Sequence, residues 1–147
     1  MIERENIIRE LWKRLAGVSG VNYTARTPAA PPSAIDLPAI QFFELSDSVT
    51  DATRRGNYVA NKRKLTVVVE TAITATTEAS ATNELIAFMD LIKAAIFDGD
   101  QTLGKKCLIQ EEETSQIFRP TIGENAIGVA MVFSIHYVED VNNLFNN

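Results

Sequence analysis

The sequence is poor in the residues that build most chemical sites. Its 147 residues include one cysteine, Cys107, and one histidine, His136. A single cysteine excludes an internal disulfide. Cys107 stands beside Leu108 and Ile109, a setting that suits a buried, inert thiol rather than a nucleophile. Such cysteine usage fits synthesis and assembly in a reducing cytosol. Zinc sites built from histidine and cysteine need three or four ligands, which one of each cannot supply. No run of 18 apolar residues occurs, so no membrane-spanning helix is expected. The net charge of −5 lacks the basic footprint of a general nucleic-acid binder. It is compatible with a protein past which nucleic acid slides without sticking. There is no internal repeat, linker or low-complexity tract, and the opening Met1-Ile2-Glu3-Arg4-Glu5 is unlike a signal peptide. A single domain over residues 1–147 is expected, with apolar residues enough for a real core.

Two motifs come close and fail. Gly99 to Lys106 nearly spells a phosphate-binding loop, but Lys106 stands where Ser or Thr must follow the lysine. The expected context is also reversed, with a helix before and a strand after. Asp98, Asp100 and Thr102 imitate the start of a calcium loop, yet Leu103 replaces the required glycine and Ile109 the closing glutamate. A serine triad through His136 finds no nucleophile turn. No catalytic, cofactor or metal site is expected, and the chain reads as a non-enzyme.

What is present is strong strand patterning. Ala126 to Val138 alternates strictly, with Ile127, Val129, Met131, Phe133, Ile135 and Tyr137 on one face and small residues on the other. Lys106 to Phe118 reads as the first arm of the same hairpin. Glu111, Glu112 and Glu113 cross its middle on alternating faces, which argues for a solvated strand or one lining a water-filled space. Arms of this length span about 40 Å, more than a small core needs. A projecting C-terminal hairpin that takes part in assembly is therefore expected. Lys62 to Thr74 is a third long strand, dense in β-branched residues. Ala39 to Leu45 and Val21 to Thr27 are shorter ones, separated by Pro28, Pro31 and Pro32.

Two helices complete the pattern. Residues 2–16 place Ile7, Ile8, Leu11, Trp12 and Leu15 on one stripe, with Trp12 expected in the core and Gly17 as the left-handed stop. A second helix starts after Thr76 or Thr77 and runs to Phe97, with a stripe of Leu85, Phe88, Met89, Ile92, Ala95 and Ile96. Ile86, Leu91 and Phe97 lie off that stripe and are candidates for a subunit interface. Leu144 and Phe145, in a polar tail at 139–147, either dock on a neighbour or pack back on their own domain. Residues 46–60 carry no apolar period and read as a flexible polar loop. Arg54 and Arg55, its charge cluster, are candidates for contact with a partner. The fold expected is α+β, a mostly antiparallel sheet with two helices on one face.

The succession of IIRELWKRL, LPAIQFFEL, KLTVVVETAI, NELIAFMDLIKAAIF and GVAMVFSIHYVED resembles the tail terminator proteins of long-tailed bacteriophages. The resemblance lies in length, element order and local pattern over most of the chain. It implies a hexameric ring in the virion neck that caps the tail tube, stops its polymerisation and joins the tail to the head connector. It implies as partners further copies of the chain, the tube protein, connector and neck proteins, possibly sheath, and DNA passing through the lumen without specific binding. It implies assembly in the host cytoplasm and no membrane. Glu111, Glu112 and Glu113 are then candidates for the lumen or its rim, because phosphate is held by lysine and arginine, not by carboxylates. Two other readings stand beside it. One is another head-to-tail joining or tail-tube component. The other is an α+β domain that binds a small ligand or peptide in an apolar pocket.

Overall fold

In the computed structural model the described residues are 3–27, 36–56, 58–74, 78–98, 102–103, 107–112, 116–118 and 126–140. The elements in chain order are α1 (Glu3–Ala16), β1 (Tyr23–Arg26), β2 (Ala39–Arg55), β3 (Tyr58–Thr74), α2 (Glu78–Phe97), β4 (Leu108–Glu111), β5 (Gln116–Phe118) and β6 (Ala126–Asp140). They form one six-stranded sheet in the order β1-β2-β3-β6-β4, with β5 also pairing β6. Only β1 and β2 run parallel; the other described pairs are antiparallel. The fold is α+β, as the patterning requires.

β3 is the axis of the sheet. It pairs with β2 from Tyr58↔Arg55 to Ala72↔Ala39, and with β6 from Ala60↔Asp140 to Thr74↔Ala126. Alternation then sorts its side chains. Leu65, Val67, Val69, Thr71 and Ile73 share a face with Ile127, Val129, Met131, Phe133, Ile135 and Tyr137 of β6 and with Ile40 and Phe42 of β2. This face packs against Ile7, Ile8, Leu11 and Leu15 of α1 and Leu85, Phe88, Ile92 and Ile96 of α2 in a single core. Arg14 ties the two helices together: its guanidinium donates to the carbonyls of Ile96 (2.8 Å) and Phe97 (3.3 Å). Those are end carbonyls of α2, where a cation also meets the favourable end of the helix dipole.

Several expectations change in detail. The long hairpin with an exposed end is β2–β3, with arms of 17 residues each. Residues 46–60, expected as a loop, are mostly its distal strands. The stretch has no apolar period because both its faces lie in water, beyond the helices. The backbone ladder holds it instead. The C-terminal hairpin forms with β6 in full, and its first arm is described as the short pieces β4 and β5. Trp12 is 40% exposed, because it sits on the flank of the α1 stripe. Its ring meets Phe42 edge-on at 5.6 Å. The left-handed residue after α1 is Gly20 (φ 85°) rather than Gly17, whose N–H closes the last turn on Lys13. After α2 that conformation falls on Asp98 (φ 42°).

Burial makes a sharp contrast between the two halves of the sheet. Phe133 is 1% exposed, and Phe97 packs on it edge-on at 6.3 Å. Phe133→Ala is expected to cost about 3–5 kcal/mol of unfolding free energy in urea. Thr53→Ala, in the exposed distal half of β2, is expected to stay within about 0.5 kcal/mol.

Candidate interaction surfaces

Beyond the helical layer the sheet continues as β2, β3 and β6 alone, and two ionic clusters fix where that extension begins. In the first, Asp47 faces the helix side because the bulge between Glu44 and Ser46 shifts the register of β2. Its carboxylate accepts from Tyr137 Oη (2.8 Å), Arg63 Nε (2.9 Å) and Arg4 Nη1 (3.3 Å). One acid thus joins α1, β2, β3 and β6. Arg63 also lies 3.6 Å from Glu139. In the second, Arg26 of β1 grips both carboxylate oxygens of Glu5 (2.9 and 3.1 Å) and donates to Glu44 (2.8 Å). α1, β1 and β2 meet there.

These contacts shift ionisation. Burial by itself would raise Asp47, but the hydrogen bonds from Tyr137 and Arg63 outweigh it and hold the carboxyl below its ordinary value. Tyr137 is pushed up, first by burial and then by donating to Asp47. Glu5 is lowered chiefly by its hydrogen bonds from Arg26.

Past the clusters lies the hairpin end. Arg55 and Tyr58 are the last paired residues, and the two-residue connection between them begins with Gly56 at φ 58°. Glycine adopts that conformation without the steric cost a Cβ would bring. Arg54 and Arg55 are exposed here, so the charge pair expected on a partner-seeking loop stands on a strand end. Neither has an ion-pair partner among the described residues. Tyr58 (43%) is exposed beside them, and Val49 (48%) and Val138 (54%) are exposed further back along the ribbon. β1 covers the outer edge of β2 only as far as Phe42. From Phe43 to Arg55 that edge has no strand partner among the described residues. Bulges at Glu44/Ser46 and Val49/Asp51 interrupt its regularity, which discourages indiscriminate pairing.

The acidic candidates separate. Glu111 pairs with Lys93 of α2 at 3.0 Å, on the helix side. Glu112 accepts from the Ser134 hydroxyl and lies 3.3 Å from Lys64, on the opposite face. Glu113 lies outside the described residues, as do Leu144 and Phe145. Ile86 (44%) and Leu91 (47%) are exposed on α2, as candidates for an interface must be. Phe97 is half-buried and packs on Phe133 of its own core, so only part of its ring faces outward. His136 sits beside Gln110 (3.3 Å). Cys107 is half-buried, with its sulfur 3.7 Å from the Thr102 carbonyl. Among the described residues no three histidine, cysteine or carboxylate groups lie close enough to hold a metal.

At the other end of the sheet an open cleft of about 470 Å³ runs between α2 and the end of β3. Pro38, Ile73, Phe88 and Leu91 make it apolar, and Glu84 and Thr74 stand at its polar margin. Sequence reasoning missed this cleft. Its walls come from three separate segments, and no local pattern marks it.

The lowered carboxyls set a pH dependence with a definite sign. Groups whose folded values lie below their unfolded ones stabilise fully above the unfolded carboxylate range, about 3.9–4.3. That contribution is lost as pH falls through the folded values. The urea midpoint is therefore expected to fall below about pH 4. Asp47→Asn should flatten this acid limb, and a limb parallel to the parent's would contradict the assignment. Tyr137→Phe is expected to cost about 1–3 kcal/mol at pH 7, since it leaves a half-buried carboxylate short of a donor.

No protein-family model matches the sequence, and no curated protein matches it. Among solved structures, a chain from the virion of a native gene transfer agent particle matches with a TM-score of 0.45 at 11% identity, over 87% of this chain and 91% of that one. A likeness of that degree carries no argument about fold or function.

Proposed function

We propose that the chain is a structural virion protein, a tail terminator subunit. It assembles into a ring that caps the tail tube, stops tube growth and joins the tail to the head connector. The observation that carries this reading is the β2–β3 hairpin. Seventeen-residue strands run well past the helices that cover the core, with their distal residues in water. A chain gains little stability of its own from such an extension. A neighbouring subunit gives it a use, and head-to-tail contacts between unlike surfaces close into rings when the rotation permits. The sequence pattern supports the same reading through its resemblance to phage tail terminators.

Within it the protein does no chemistry. The ring is hexameric, and its partners are other copies, the tube protein, and the connector and neck proteins. The net charge of −5 lets DNA pass without being trapped. Glu112 and Glu111 face opposite sides of the sheet, so at most one of them lines the lumen, the other lying towards the helices.

The test is growth of tail tubes from the cognate tube protein in the presence of this chain. Tubes should shorten as the ratio of chain to tube protein rises, with a ring at one tube end in electron micrographs. Tubes of unchanged length and bare ends would overturn the reading. Copolymerisation along the whole tube would make the chain a tube subunit instead.

A further inference from the structure

Two surfaces of this chain complement each other and cannot meet within one molecule. The first is the hairpin end. Across the ribbon Lys62 stands with the acids Asp51, Glu139 and Asp140, but past Ala60, the last residue of β3 to pair with β6, the end carries only the cations Arg54 and Arg55, in a chain whose net charge is −5. Arg55, Tyr58, Lys62, Val138 and Asp140 share one face of it by register, with the exposed Tyr58 ring directly opposite Arg55 at the very end. The second is the outer face of α2 and the cleft beside it. Glu84 lines the cleft, Asp90 is exposed about a third of a turn further round the helix, and the helix's one cation, Lys93, is engaged by Glu111. Ile86 and Leu91 stand exposed beside these acids, and the cleft is floored by Ile73 and Phe88.

β3 connects the two. It begins at Tyr58 in the tip and ends at Ile73 and Thr74 in the cleft, 17 residues later. At about 3.3 Å per residue the surfaces lie about 50 Å apart. The strand is paired on both sides for nearly all of that length, so it does not fold back. A tip that ends in two arginines and a tyrosine, and an apolar cleft with Glu84 at its margin, can be satisfied together only between molecules.

We infer that the occupant of the α2 cleft is the β2–β3 hairpin end of a second copy of this chain. Tyr58 enters the cleft against Leu91 and Phe88, while Arg54 and Arg55 face Glu84 and Asp90. The contact joins unlike surfaces, so each subunit offers a tip to one neighbour and a cleft to the other. Such a contact continues until it closes. Charge complementarity sets its register and rejects the tip-to-tip and cleft-to-cleft alternatives, which bring like charges together. The inference rests on the self-association proposed above and names the surfaces that perform it.

Charge reversal tests it, since all four charged residues are exposed and their replacement leaves the core untouched. Native mass would be measured by light scattering across a concentration series, alone and with tube ends present. Circular dichroism would confirm that each variant is folded. Arg54→Glu/Arg55→Glu, and separately Glu84→Arg/Asp90→Arg, should each raise the concentration needed for assembly roughly a hundredfold. The chain carrying all four substitutions should assemble again, as should an equimolar mixture of the two double variants. Assembly that survives both reversals, or that the fourfold variant does not recover, overturns the tip-to-cleft contact and leaves the ring reading standing. A parent chain that stays monomeric at every concentration and ignores tube ends overturns both.

Discussion

Everything in this structure depends on the double pairing of β3. Its backbone is bonded to β2 on one side and β6 on the other over nearly its whole length. That ladder does two different jobs along its course. From Leu65 to Ile73 it presents a continuous apolar face, on which α1 and α2 settle. From Tyr58 to Lys64 it carries almost no apolar burial and holds together by hydrogen bonds and cross-strand pairs. Pairing on both sides keeps this second half straight and raised above the helices, where a two-stranded ribbon alone would be marginal in water.

The change from one regime to the other is managed by charge. Asp47 collects donors from α1, β3 and β6, and Arg26 joins α1 to β1 and β2. Both clusters lie where the helical layer ends. Side chains there are half-buried, so ionic contacts are better hydrogen-bonded and less screened than on an open surface. Tyr137 shows the arrangement in one residue. It is the last residue of the apolar stripe of β6; its ring completes the core and its hydroxyl serves the first polar cluster outside it. A bulge at Leu45 makes this possible, because it turns Asp47 to the side where Tyr137, Arg63 and Arg4 wait.

The result is a stable body with an elongated arm and two ends of different character. The arm ends in arginines and a tyrosine, and the other end opens an apolar cleft with Glu84 at its margin. Such polarity gives a molecule a direction. It suits assembly in which one subunit's end meets the next subunit's opposite end, and suits less well a symmetric dimer, in which each surface must complement itself.

The chain's local patterns alone determined both helices, the core face of β3, and all of β6, because each buries one face at a helical or two-residue period. Leu85, Phe88, Ile92 and Ile96, and Ile127 through Tyr137, lie in the core as their spacing demands. Only the tertiary structure decided the distal hairpin, whose residues are polar on both faces. Periodicity is silent where nothing is buried, although Gly56-Asn57 is a dipeptide of the kind that closes two-residue hairpins. It also decided that Trp12 sits at the rim of the core, that Phe97 packs on Phe133, and that Glu111 and Glu112 find separate cations. The clusters around Asp47 and Arg26 and the cleft beside α2 were equally invisible in one dimension. Each joins residues from three or four elements, and the contacts that create them exist only once the sheet has brought distant segments side by side.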